Sequence, residues 1–261
     1  MKLPKFYNFS LFQINLISII YEFNINLITR NKKKMKMKIN KKKMKMKKKS
    51  KKKMTNKIIH NVFLDIGFKP FSERLDYQEN IEHNKAMNPD FKFILWDDER
   101  VNEFIKTQPE YIKKIWGEFP ATFYKIDFVR LLILKEYGGI YIDLDTITKI
   151  PLSIEDSETI TGFWINKQGK ININNNVIKL KNDLYDELIN YAIEQFYYRK
   201  KSMPSDWVKR RFLHSVSAKM FIRFIKQRFN KGEIEKLNIK YYTLFIDEKA
   251  EYNSQWLLYG L

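Results

Sequence analysis

The sequence predicts an α/β domain, a mixed and largely parallel sheet flanked by helices, preceded by a lysine-rich N-terminal extension. Three observations predict it. From residue 57 onwards, strand-length apolar runs alternate with capped helical stretches. A Gly-Gly stop separates a long apolar helix from a short apolar strand. The excess of basic residues is confined to one end of the chain.

The last point decides how the charge is read. The 261 residues carry a formal net charge of +19, a balance that first suggests a partner such as nucleic acid or anionic membrane. Residues 1–53, however, hold 18 Lys and Arg and one acid, Glu22, so +17 of the excess lies there. The other 208 residues carry 31 basic and 29 acidic groups, which leaves residues 54–261 as one nearly neutral domain. Residues 6–21 are uncharged but interrupted by Asn8, Ser10, Gln13, Asn15 and Ser18, too short and too polar for a spanning helix of about 20 apolar residues. Residues 31–53 are a self-repelling, low-complexity lysine block, expected to be disordered. The expectation is a cytoplasmic domain, with membrane association through residues 6–28 as the less favoured alternative. Nucleic acid or an anionic membrane would be met only through the basic tail. The chain has no cysteine, which excludes disulfides, thiolate zinc sites and a cysteine nucleophile. Any metal must sit on oxygen or imidazole.

Element by element, Lys57–Leu64 is a β-rich run of buried-strand length. Ser72 is a candidate N-cap for a helix running to about Met87, which Asn88-Pro89 ends. Residues 91–96, FKFILW, form a second strand, and Asp97-Asp98 opens a short helix. Pro109 suits the first turn of a helix over 110–117, and Pro120 starts the long helix that stops at Gly138-Gly139. The apolar run 140–150 reads as a strand that carries Asp143 and Asp145. Further strands are expected at 159–165, 176–180 and 239–246, with helices at 183–200 and 214–229. His60 on an apolar strand reads as a hydrogen-bonded core residue. The run Phe196-Tyr197-Tyr198 reads as core, and Arg210, Arg211, Arg223, Lys226 and Arg228 as a solvated helix face.

Chemistry concentrates in residues 120–146, PATFYKIDFVRLLILKEYGGIYIDLDT. Asp127 and Arg130 are three apart on a helix and share a face, a spacing that by itself is ordinarily a surface ion pair. Asp143 and Asp145 are two apart on a strand, which points both carboxylates to one side. Two hard oxygens at the C-terminal end of a strand form half of a site for Mn²⁺ or Mg²⁺, with a diphosphate supplying further oxygens. Open α/β sheets place ligands at that end.

The run Asp127–Asp145, DFVRLLILKEYGGIYIDLD, resembles the glycosyltransferases that carry a DXD motif in a sugar-binding region. These are glycosyltransferase family 32, with its initiating mannosyltransferases and capsular polysaccharide enzymes, and its relatives the large clostridial glucosylating toxins. Residues 56–65, NKIIHNVFLD, are similar to the family's opening strand, and Glu251–Trp256 is similar to the closing segment of the toxins. Departures are Phe63 for tryptophan, Asp65 for glycine and Ile126 for serine. The resemblance implies a GT-A-like, Rossmann-like nucleotide-sugar-binding fold and a metal-dependent, retaining hexosyl transfer. The donor would be a UDP-hexose or GDP-mannose, and the acceptor a glycan, lipid or protein. It implies that Asp145, with Glu251 and Ser254, coordinates the metal and that Asp143 touches the ribose or sugar. Asp127 and Arg130 would hold sugar hydroxyls, and Tyr141 would line the nucleotide pocket. Phe63 would stack on the base, Ser254 and Trp256 would close over the phosphates, and Asn175 or Asn176 would face the donor. Two other readings compete. One is a polybasic nucleic-acid- or membrane-binding protein with an inactive transferase-like domain. The other is a metal-dependent phosphoesterase, for which more His or Asp ligands would be needed than cluster here.

Overall fold

The computed structural model describes residues 57–67, 69–152, 159–165, 171–203, 208–242 and 245–246. The extension 1–53 and the closing segment 251–261 lie outside them. Strands β1 (Ile58–Val62), β2 (Lys92–Trp96), β3 (Ile140–Ile142), β5 (Ile160–Ile165) and β6 (Ile171–Lys179) form one sheet in the order β2-β1-β3-β6-β5. β1 pairs in parallel with both β2 and β3, whereas β6 and β5 add on antiparallel. The largely parallel sheet expected from the sequence is therefore parallel only at its first three strands. Helices separate β1, β2 and β3 along the chain, as parallel neighbours require. β5 and β6 follow each other closely in sequence, which permits an antiparallel pair.

Side chains alternate across this sheet. Ile59, Ile140, Ile142, Ile160 and Val177 face one buried cluster, and Val62, Trp96, Tyr141 and Ile178 face the larger one on the other side. The larger cluster is built on helix α4 (Thr122–Tyr137), whose residues 127–134 are all buried. A helix that is apolar nearly all round belongs in the interior. Each of Phe128, Leu131 and Leu132 contributes about 1.5–3 kcal/mol by leaving water. Among the described residues no helix is long and apolar enough to cross a membrane.

Around this centre lie α1 (Leu75–Met87), α2 (Asp98–Lys106), α3 (Glu110–Glu118), α5 (Leu184–Ser202), α6 (Val208–Ser215), α7 (Ala218–Arg228) and α8 (Lys231–Tyr242). Several differ from the expected elements. Ser72 does not cap the first helix: Phe71–Glu73 is a 3-10 turn, and α1 begins after Arg74 with no side-chain cap. The helix expected over 214–229 is two helices, because Ser217 takes extended backbone and starts α7 afresh. The strand expected over 239–246 is mostly helix. Asn230 Oδ1 accepts from the Glu233 amide while Glu233 Oε2 accepts from the Asn230 amide. This reciprocal cap starts α8 and leaves only β7 (Phe245–Ile246) extended, paired with β4 (Ile147–Thr148). In the aromatic run, Phe196 is core, but Tyr197 and Tyr198 are exposed.

The junction between α4 and β3 is fixed by two glycines and one histidine. Gly138 and Gly139 both have positive φ, and a Cβ on Gly139 would lie 2.5 Å from the Ile58 carbonyl oxygen. His60 is fully buried, as the sequence implied. Trp96 Nε1 donates to its Nδ1 at 3.0 Å, so Nε2 carries the proton and donates to the Gly138 carbonyl at 3.0 Å. Burial holds its pKa down at about 4, opposed by the Gly138 bond.

Two outcomes follow for stability. Gly139→Ala should destabilise the fold by about 1–3 kcal/mol in urea unfolding, since strained φ and a backbone clash coincide. Because the unfolded chain protonates His60 near its ordinary 6.5 and the fold only near 4, its contribution is complete above pH 6.5. It is lost as pH falls from 6.5 to 4, by about 3 kcal/mol. Melting temperatures of wild type and His60→Gln over that window should show a shallower decline in the variant.

Candidate active site

The apolar run 140–150 is not one strand. β3 ends at Ile142, and Asp143–Thr146 forms a turn in which the Thr146 amide donates to the Asp143 carbonyl at 3.1 Å. β4 then leaves for a different sheet. The two acids thus sit on a turn at the C-terminal end of β3, not at i and i+2 of a strand, and their environments diverge. Asp143 is drawn inward and Asp145 points to solvent.

Arg130 organises the interior half. Its guanidinium pairs with Asp127, lies 3.3 Å from Asp143 Oδ1, donates to the Asn175 carbonyl at 2.8 Å and stacks over the Tyr141 ring at 4.3 Å. Asp127 and Arg130 are only 6% and 4% exposed, so this is a buried pair and not the surface pair that their spacing alone suggests. The other oxygen of Asp127 accepts from Asn175 Nδ2 at 3.2 Å. Tyr141 donates its hydroxyl to Asp143 Oδ1 at 2.5 Å. Its ring is enclosed beneath Arg130 and does not line an open pocket.

The electrostatics follow from this packing. Burial opposes the Arg130 charge, but Asp127 and Asp143 outweigh it and raise its pKa, so it stays cationic. Burial pushes Tyr141 well up, which keeps its hydroxyl a donor. Asp143 is pushed up to about 7: burial is the largest influence, Arg130 opposes it, and the Asp145 charge adds to the rise. Asp145 is also raised, chiefly because protein surrounds the turn, with its own backbone amide, Thr146 and the fields of Arg130 and Arg74 opposing. Its direct access to solvent limits that rise.

Asn175 and Asn176 have different places. Asn175 belongs to the Asp127–Arg130 pair. Asn176 belongs to the turn: its carbonyl accepts from the Asp143 amide at 2.7 Å and its Nδ2 donates to Thr146 Oγ1 at 3.2 Å. Its Oδ1 is enclosed without a hydrogen-bond partner among the described residues, and it fills the space above Gly162, where any Cβ would collide with it. Phe63 stands just beyond β1 in an aromatic group with Phe71 and Tyr77, at 5.2 and 6.3 Å between centroids. Arg74 lies 3.5 Å over the Tyr77 ring. Neither Arg74 nor Tyr77 stands out in the sequence; both follow the 3-10 turn Phe71–Glu73, and Tyr77 meets Phe63 across it. Glu251, Ser254 and Trp256 lie outside the described residues.

The donor set suits a hard cation that brings its own ligands. Asp145 accepts a long 3.4 Å bond from Thr146 Oγ1 besides the influence of its own backbone amide, and it has no ion-pair partner among the described residues. Asp127 and Asp143 meet the one buried guanidinium, and Asp145 stands outside that pair. Among the described residues no group of three or more acids or imidazoles could hold a metal by itself. An ion held by Asp145 would need further oxygen ligands.

Removing the central cation strands buried carboxylates. Arg130→Met should cost about 3–5 kcal/mol in urea unfolding; a loss under about 1 kcal/mol would show that the pair is not fully desolvated.

Residues 75–162 match the family described as "Glycosyltransferase sugar-binding region containing DXD motif". The chain is 34% identical over 92 residues to inositol phosphoceramide mannosyltransferase 3 of Schizosaccharomyces pombe, covering 35% of this chain and 25% of that protein. It is 34% identical over 99 residues to an uncharacterized glycosyltransferase of Acanthamoeba polyphaga mimivirus, covering 37% and 38%. The chain thus spans about a quarter to two-fifths of these relatives. Among solved structures, the PaToxG glycosyltransferase is similar over 72% of this chain and 75% of that one, with a TM-score of 0.48 and 16% identity. The matched residues 75–162 hold both the Asp127–Arg130 pair and the Asp143–Asp145 turn.

Proposed function

We propose that this protein is a metal-dependent glycosyltransferase that moves a hexose from a nucleoside diphosphate sugar to a glycan, lipid or protein acceptor. The observation that carries this reading is the split between the two acids. Asp143 is held inside by Arg130 and Tyr141, whereas Asp145, at the open end of β3, keeps its carboxylate available.

Asp145 would hold Mn²⁺ or Mg²⁺ together with the donor diphosphate, and Glu251 and Ser254 are the further ligands that the resemblance suggests. When bound, the ion neutralises the charge that develops on the departing nucleoside diphosphate. The chain's own residues do the rest. Asp127 and Arg130 form a rigid charged floor beneath the donor sugar, with Asn175 bonded to Asp127 and Asn176 to the turn. Both oxygens of Asp127 are engaged, which fits a positioning role better than covalent attack, and retention would follow from departure and attack on one face. Phe63, with Phe71 and Tyr77, offers an aromatic surface for the base, Asp143 stands towards the ribose with the enclosed Tyr141 holding it from behind, and Trp256 would close over the phosphates. The mannosyltransferases among the relatives favour GDP-mannose as the first donor to try, with UDP-hexoses next. The domain is proposed to work in the cytoplasm.

The test is slow release of nucleotide from GDP-mannose or UDP-sugars by the purified chain with Mn²⁺. Asp145→Asn should abolish release while melting at nearly the wild-type temperature, because that side chain is exposed and unpaired. Absence of release with every donor would overturn the reading.

A further inference from the structure

The face that α1 turns to the turn-bearing segment is polar, which is unusual for a helix packed against a domain. Its buried residues are Asn80 and Asn84, with Asn88 at its C-cap. These three lie four apart and so form one stripe. Each meets the backbone that follows β3. Asn80 Nδ2 donates to the Leu144 carbonyl at 2.9 Å. Asn84 Nδ2 donates to the Thr146 carbonyl at 2.9 Å, and its Oδ1 accepts from the Thr148 amide at 2.7 Å. Asn88 Oδ1 accepts from the Leu152 amide at 2.7 Å, and His83 Nε2 meets the Thr148 carbonyl at 2.8 Å.

The physical logic is that of a missing strand. On leaving the sheet after Asp143, the chain has few strand neighbours, yet buried peptide groups must be paired. A primary amide offers the donor and acceptor of a peptide group. One helical turn apart, Asn80, Asn84 and Asn88 meet successive backbone groups: the Leu144 carbonyl, the Thr146 carbonyl with the Thr148 amide, and the Leu152 amide. Asn84 accordingly bonds both sides of one residue, as a strand neighbour would.

We propose that Asn80 and Asn84 are positioning residues for the Asp143–Asp145 turn, setting the affinity of Asp145 for a divalent cation. The turn is gripped from both flanks: β6 holds it through Asn176, and α1 holds the Leu144 and Thr146 carbonyls on either side of Asp145. This inference rests on Asp145 being the metal-binding carboxylate. Groups that orient a ligand without touching the ion typically change metal affinity about 10–100-fold.

Mn²⁺ binding to the full chain, followed by calorimetry in the presence of UDP or GDP, tests it without turnover. Asn80→Ala should weaken Mn²⁺ about 10-fold or more, with Asn80→Ser as the milder variant if alanine prevents folding. Tyr185→Phe supplies the control. It removes another buried hydrogen bond, from the Leu180 amide at 2.9 Å, and should lower the melting temperature without weakening Mn²⁺. Wild-type affinity in both Asn80 variants, with Asp145→Asn losing it, overturns the positioning role and leaves the metal site standing. Equal weakening in Tyr185→Phe also overturns it, as a mere loss of stability. A wild-type chain that binds no Mn²⁺ overturns both.

Discussion

A single buried guanidinium fixes the site. Arg130 lies in the middle of the most enclosed helix of the domain and touches Asp127 on its own helix, Asp143 beyond β3, the Asn175 carbonyl on β6 and the face of Tyr141 on β3. Three segments, α4, the end of β3 and β6, therefore converge on one charge. Burying it is costly, and only the carboxylates and carbonyl around it offset that cost. The consequence for chemistry is a division of labour between two neighbouring acids. Asp143 is consumed by the interior network, and Asp145 is left facing solvent with lone pairs to spare.

Much of this was legible in the sequence, for identifiable reasons. The helix 122–137, its Gly-Gly stop and the strand that follows announce themselves because a helix with a long apolar stretch, two positive-φ glycines and a β-branched run leave little local ambiguity. The parallel core of the sheet was legible from the alternation of strands and helices, and His60 as a core residue from its apolar flanks. Asp127, Arg130, Asp143 and Asp145 were legible as a group, and the structure does gather them, but not with the geometry that local spacing suggested. A period-2 reading put both acids on one face of a strand. The tertiary pull of Arg130 and Tyr141 turns one in, and the break after Ile142 turns the other out.

What was not legible depended on long-range partners. A polar stripe at Asn80, Asn84 and Asn88 reads locally as a weak, solvent-facing helix, and nothing within thirty residues shows that its partner is a strand-like segment lacking neighbours. The split at Ser217 and the helical content of 231–242 were missed because one rests on the extended backbone of Ser217, which makes no side-chain cap bond, and the other on the Asn230–Glu233 cap, both set among basic residues that look alike in either state. The strongly basic composition, the first thing the sequence shows, belongs to residues 1–53.

The same chain positions its acids from three directions: Arg130 from the helical layer, β6 through Asn175 and Asn176, and α1 through amides that replace a strand. The central claim is that this arrangement serves a cation and a sugar nucleotide together. The most direct measurement is the melting temperature of the full chain with Mn²⁺ and each of GDP-mannose, UDP-glucose and UDP-galactose. Ligand binding stabilises a fold by mass action, about 2.7 kcal/mol at a hundredfold excess over Kd. A rise with Mn²⁺ and one sugar nucleotide, absent when either is omitted, is the result expected. Unchanged melting with every combination would contradict the account.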